Sequence, residues 1–383
     1  MNDTAQILDG HRISGGGSAR VHIDGKPFLN FGGCNYLALT DRPELRAAAR
    51  DALEKGYLFS RYLHPAYGGM DEPFDKVEAE AARFFGTESA IYLPSGYHIG
   101  FAALAALRPE FDALVLDQQA HWCLEHAAIL SGLPLHRFDH CDAVSLERVL
   151  GGLPPGQRPL IATDGAFATS GRLPPLDEYV ELAKQFNGQV VVDESHATGV
   201  VGATGRGAAQ HFKLGERIHV GSTLSKGLCA QGATFAGNAE MIKRARQTQA
   251  IRGSSPGSPI SAEVATAAMK LVREHPELCA RVRQNARYLR SRLQALGLDI
   301  TETPAAIVSF TRGSFADLRA LQSKLFDAGM YVLHSNYIAA GPSGTIRMTV
   351  FADHSQEDLD LAILHIGSWT AARANEQRLT RSA

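Results

Sequence analysis

The stretch "QVVVDESHATG" (residues 189–199) decides how this chain is read. Three consecutive valines, apolar on both faces, suit a strand buried inside a parallel sheet. The run ends at once in Asp193, Glu194, Ser195 and His196. In a parallel α/β sheet, ligands bind beyond the carboxyl ends of the strands, so Asp193 and His196 stand where a site belongs. An acid and a serine after a strand also serve to cap the next helix, and the stretch alone leaves both readings open.

Further along, "GSTLSKG" (221–227) repeats the design: a short apolar strand, then Lys226. Its distance from Asp193 is about that of one βαβ unit of ~30 residues, which brings a lysine and an aspartate to the same sheet edge. A lysine is by default a solvated surface residue. Here Ser222, Thr223 and Ser225 surround it, offering phosphate ligands beside an amine able to form a Schiff base. Pyridoxal phosphate needs that combination: an amine for its aldehyde, donors for its phosphate, and a carboxylate, Asp193, for its pyridine nitrogen.

The rest of the chain supports a large α/β fold. "SAIYL", "ALVLD", "PLIATDG", "RIHVGS" and "ATFAG" are nearly continuous apolar runs with helix-length segments between most of them, the pattern of a mostly parallel sheet flanked by helices. Asp24-Gly25 between alternating segments predicts an N-terminal β-hairpin. From about Ala262 two long charged helices lead into "AAIVSF", "FADLRALQSKLFDAG", "MYVLH", "TIRMTV" and a last helix from Ser355. These predict a smaller α+β domain. The expected division is 1–45 as an N-terminal segment, 46–280 as a large cofactor-binding domain and 281–383 as a small C-terminal domain, with a frayed tail after Asn375. Gly15-Gly16-Gly17 reads as a loop.

Composition narrows the function classes. With 383 residues, 45% hydrophobic and 20% charged, the chain can bury a sizeable core. A formal net charge of -2, evenly spread, gives no reason to expect nucleic acid or anionic lipid as partner. Five scattered cysteines without metal-ligand spacing predict no metal site and a reducing, cytoplasmic setting. No segment approaches the ~20 apolar residues of a membrane span.

"VVVDESHATGVVGATGRG" followed by "STLSKG" resembles the α-oxoamine synthases, pyridoxal-phosphate enzymes of the fold-type I, class II aminotransferase superfamily. The resemblance runs through "LNFGGCNYLAL", "YLPSGYHIG", "LDQQAHWCLEHAAILSG", "DGAFATSGRLPPL" and "GTIRMTVFADHSQEDLD", in family order. It implies a fold-type I transferase and a decarboxylative Claisen condensation of an amino acid with an acyl-CoA or acyl-carrier-protein thioester, yielding an α-amino ketone. It also implies a homodimer.

Residue by residue, the resemblance implies that Lys226 holds the cofactor and shuttles the Cα proton, Asp193 pairs with the pyridine nitrogen, and His196 bonds the phenolic oxygen. His121 stacks on the ring and counts, with Lys226 and His196, as catalytic. Gly96 and Tyr97 by their backbone, Thr223 and Ser225 bind the phosphate. Ser254 or Ser255 of "RGSSPGSP" reaches the neighbouring subunit's phosphate, although serines beside Pro256 are also turn formers.

Departures are as informative. Cys34, followed by Asn35, stands where the family has the asparagine that helps hold the amino acid's carboxylate. The family's paired arginines are read here as Arg347 with Thr349 at the second position, and Ala168 replaces a serine, with Thr169 beside it. These positions leave open an alternative: transamination or decarboxylation of a substrate lacking the usual α-carboxylate anchor. A non-enzymatic role is opposed by the intact Lys226, Asp193 and His196.

Overall fold

The computed structural model describes residues 6–57, 71–215 and 217–382, with side chains described as far as residue 373. The chain forms two compact units. One comprises residues 1–40, 168–171 and 280–383; the other comprises 41–167 and 172–279. The first 40 residues thus cluster with the C-terminal segment instead of forming a separate part.

In the first unit, strands β1 (Ile13–Ser14), β2 (Arg20–Ile23) and β3 (Lys26–Asn30) form an antiparallel run. Asp24 and Gly25, at φ 49° and 78°, make the expected hairpin turn between the second and third.

The second unit is built on a seven-stranded sheet: β4 (Ser89–Leu93), β5 (Ala113–Asp117), β6 (Leu135–Phe138), β7 (Pro159–Asp164), β8 (Gln189–Asp193), β9 (Ile218–Thr223) and β10 (Ala233–Gly237). Their order across the sheet is β4-β10-β9-β8-β7-β5-β6. All neighbours are parallel except β10, which runs against both β4 and β9. The apolar runs sit in the middle because both faces are covered. Val190, Val191 and Val192 are fully buried, one face packed with Leu114 and Leu116 and the other with Phe138 and Tyr179. The parallel register brings the carboxyl ends of β5, β7, β8 and β9 to one edge. β6 was not foreseen: as an edge strand it carries a half-buried His136 and an exposed Arg137 and lacks the apolar run of its neighbours.

The remaining strands, β11 (Ile307–Phe310), β12 (Met330–Tyr331), β13 (Leu333–Ser335) and β14 (Thr345–Thr349), return to the first unit. "MYVLH" reads as one strand but serves two sheets. β12 pairs in parallel with β3, and β13 pairs antiparallel with β14. Val332, 1% exposed, is buried at the bend between them. β14 also pairs with β11, so Arg347 lies on the central strand of a three-stranded sheet. The tail expected to fray continues the last helix, Gln356–Ser382.

Candidate active site

At the carboxyl edge of the seven-stranded sheet lies a cavity of about 190 Å³. It is lined by the Ser95–Gly96–Tyr97 turn, His121, Cys123, Asp164, the residues that follow β8 and β9, and Lys226. Lys226 Nζ lies 3.0 Å from His196 Nε2. Asp193, 3% exposed, ends β8. Its Oδ1 accepts the Ser195 N–H at 2.9 Å and its Oδ2 accepts the Cys123 thiol proton at 3.4 Å.

Hydroxyls line the same cavity. Thr223 Oγ1 donates to the Gly232 carbonyl at 3.1 Å, so the Ser225 hydroxyl, 2.8 Å away, donates to Thr223. Ser195 Oγ accepts the Thr223 N–H at 3.0 Å and ties the loops after β8 and β9 together. A Cβ on Gly96 would stand 2.9 Å from Thr223 Cβ. Only glycine lets this turn, which opens the helix His98–Leu107, approach the hydroxyl pair so closely.

His121 caps the helix Trp122–Ser131, its Nδ1 accepting the Cys123 N–H at 3.2 Å. Burial lowers its pKa, the nearby Asp193 charge opposing. Burial, then Asp193, raise the Asp164 carboxyl well above the usual range. Glu194, the acid next to Asp193, faces away from the cavity: its two oxygens accept the Ala208 and Ala209 N–H groups, both at 2.8 Å. Burial raises it to about 7 against those hydrogen bonds.

In the other unit Arg347, 6% exposed, is the centre of a second cluster. Its Nε donates to the Ala168 carbonyl at 2.7 Å and its Nη1 to Thr349 Oγ1 at 2.9 Å, while Nη2 points at Cys34 Sγ, 3.8 Å away. Burial works against its charge, but Cys34 and Tyr36 outweigh it and the pKa is raised. Its partners among the described residues include a carbonyl, a hydroxyl, a thiol and the Tyr36 phenol, and none of these is a carboxylate. Thr349 donates its own proton to the Gly33 carbonyl at 2.8 Å. With its donor and an acceptor site both engaged, it braces Arg347. Asn35 bonds Thr40 Oγ1 at 2.6 Å and the Leu39 N–H at 3.3 Å, ordering its own loop. Thr169, beside Ala168, spends its hydroxyl on the Ile338 carbonyl at 2.5 Å.

The structure therefore gathers Gly96, Tyr97, His121, Asp193, His196, Thr223, Ser225 and Lys226 around one cavity and Cys34 and Thr349 around Arg347. Ser254 and Ser255 lie elsewhere, on a 520 Å³ cavity with Tyr92, Leu93, Arg246 and Pro256. Sequence reasoning missed Ser95, Cys123, Asp164 and Ser195. A signal for Asp164 exists: "ALVLD", "PLIATD" and "QVVVD" are neighbouring strands that each end in an aspartate at the carboxyl edge.

The donor set fits pyridoxal phosphate. A half-buried amine, a buried carboxylate held by two donors, a histidine at a helix start, and a glycine turn packed against two hydroxyls match the aldehyde, ring nitrogen, ring face and phosphate. Comparisons with known proteins agree. Residues 27–366 match the family model for aminotransferase class I and II. An 8-amino-7-oxononanoate synthase from Thermosipho melanesiensis is 33% identical over 350 residues, 89% of this chain and 88% of that protein. One from Methylococcus capsulatus is 33% identical over 350 residues, 89% of each. A serine palmitoyltransferase from S. paucimobilis, solved with a bound PLP-myriocin aldimine, superposes with a TM-score of 0.87 at 26% identity, covering 97% of this chain and 94% of that one.

Proposed function

We propose that this chain, which belongs to the aminotransferase class I and II family, joins an amino acid to an acyl thioester with loss of carbon dioxide, giving an α-amino ketone. The observation that carries the reading is the Lys226–His196 contact of 3.0 Å in a cavity that also holds Asp193, in a chain similar along most of its length to 8-amino-7-oxononanoate synthases.

Bound pyridoxal phosphate supplies an electron sink for the charge that develops on the substrate carbon. The chain's own residues do the rest. Lys226 takes the proton from that carbon and later returns one. His196 Nε2, within hydrogen-bond reach, keeps the amine oriented and shares its proton. Asp193 balances the positive ring nitrogen, and its burial keeps water from screening that charge. His121 would hold the ring by its face. The Ser95–Tyr97 turn at a helix start, with Thr223 and Ser225, receives the phosphate. Arg347 anchors the amino acid's carboxylate: a buried guanidinium with no acid beside it among the described residues is a site for one.

Coenzyme A or an acyl carrier protein delivers the acyl group. The working form is a cytoplasmic homodimer in which Ser254 or Ser255 reaches the partner's phosphate. Among the described residues no helix is long and apolar enough to cross a membrane.

The test is thiol release by cofactor-loaded protein given a panel of amino acids against acyl-CoAs of increasing length. Release that depends on one amino acid supports the condensation. Silence across the panel from a protein that binds the cofactor refutes it and favours transamination or decarboxylation.

A further inference from the structure

Behind His121 and Asp193 lies a circuit of contacts involving two side chains to which no role has been given, Asp164 and Cys123. Asp164 Oδ2 accepts the His121 N–H at 2.8 Å. The His121 ring accepts the Cys123 N–H at 3.2 Å, and the Cys123 thiol donates to Asp193 Oδ2 at 3.4 Å. Asp193 is the register partner of Asp164 across β7 and β8, which closes the circuit. Asp164 is 3% exposed, Cys123 1% and Asp193 3%, so water does not compete for these bonds.

Each link fixes a different degree of freedom. The His121 N–H belongs to the residue that caps the helix Trp122–Ser131, and an acceptor there sets where the backbone leaves the sheet edge and hence where the imidazole lies. Asp193 is pinned at both oxygens, by the Ser195 N–H on one and the Cys123 thiol on the other. Its carboxylate cannot turn without breaking both. Burial, then Asp193 and Asp164, push the Cys123 thiol up, so it keeps its proton and serves as a donor.

We propose that Asp164 and Cys123 are positioning residues for the cofactor, Asp164 fixing the His121 ring through its backbone N–H and Cys123 fixing the orientation of the Asp193 carboxylate. The inference rests on the pyridoxal-phosphate reading of this cavity. Hydrogen-bonded supports of this kind tune the groups that hold a bound cofactor.

Paired substitutions test it. D164N keeps an acceptor oxygen and D164L removes it with the same branching and number of heavy atoms; C123S keeps a donor and C123A removes it. The readouts are the dissociation constant of pyridoxal phosphate, titrated into apoprotein, and the circular dichroism of the bound cofactor, which reports how the ring is held. Apoprotein melting checks the fold. D164L and C123A should each weaken binding about three- to tenfold, the worth of one hydrogen bond, and alter the cofactor dichroism. D164N and C123S should stay within about twofold of the parent.

Unchanged affinity and dichroism in D164L and C123A, or D164N and C123S as damaged as their partners, overturns the proposal. Should D164L not fold, the C123S and C123A pair decides. A parent protein that does not bind pyridoxal phosphate overturns the cofactor reading as well, whereas a parent that binds it with indifferent variants overturns this inference alone.

Discussion

The functional side chains of the Lys226 cavity come from strand ends and the turns after them, whereas Arg347 is met by Cys34 and Ala168 from distant stretches of chain and by Thr349 two residues along its own strand, itself tied to the remote Gly33. The first arrangement is what a parallel sheet offers. Its register collects carboxyl ends at one edge, so spacing along the sequence translates into position. The second is held by individual hydrogen bonds from β14 to remote segments, and a motif tells little about it. The cavity should therefore tolerate no loss of its reacting groups, while the arginine cluster should respond in degrees.

Lys226→Ala should have the largest effect. Removing both the cofactor's amine partner and the proton carrier is expected to lower turnover by at least about 10³-fold, measured as amino-acid-dependent thiol release. Turnover near that of the parent would remove Lys226 from the mechanism.

Arg347→Lys comes next. A lysine keeps the charge but loses the planar fork that can bond a carboxylate and its bracing partners together. We expect kcat/KM for the amino acid to fall about 10- to 100-fold, mainly through KM, with KM for the acyl thioester little changed. An equal rise in both KM values would mean that Arg347 holds the fold and not the carboxylate.

Thr349→Val sharpens the comparison. It removes the brace on Arg347 Nη1 and leaves the Gly33 carbonyl without its donor. About a two- to tenfold rise in KM for the amino acid is expected. A threonine that itself met the substrate would shift amino-acid preference among the panel, a result opposed to the bracing role.

The smallest effect concerns pH, and here the two units should behave alike. Burial lowers His219, on β9, to about 4. Burial also lowers His354, whose ring stacks on Phe31 in the other unit, to about 4. A histidine held neutral in the fold takes up a proton more readily when unfolded. Its contribution to stability is thus complete above about 6.5 and lost as pH falls toward 4. Urea unfolding at pH 7 and pH 5 should show each histidine accounting for up to about 2 kcal/mol of the loss. His219→Gln should remove its share. Glu194, raised by burial, acts with the opposite sign between its usual value and about 7, and cancels when variant and parent are compared. An equal pH loss in variant and parent would show that His219 titrates normally.

How much was legible follows from the same contrast. "VVVD" and "STLSK" gave away the sheet edge because apolar runs mark buried parallel strands and the residues after them must line that edge. β6 was hidden because an edge strand carries His136 and Arg137 in place of an apolar run. Asp164 was overlooked although it ends β7 just as Asp193 ends β8; the acid that follows a strand was read only where a histidine came after it. Thr349 was read only as standing at the second position of the family's paired arginines, a substrate-side position. Its engagement with Gly33, more than 300 residues earlier in the chain, is a tertiary fact that no local pattern encodes.

The central claim is a condensation in which carbon dioxide and thiol leave together. Cofactor-loaded protein should be supplied with the amino acid that supports thiol release, labelled at its carboxyl carbon, and an acyl-CoA, with labelled carbon dioxide and free thiol counted in the same reaction. The account predicts one carbon dioxide per thiol. Carbon dioxide without thiol would make the chain a decarboxylase, and thiol without carbon dioxide would leave the amino acid's carboxylate intact; either contradicts the account.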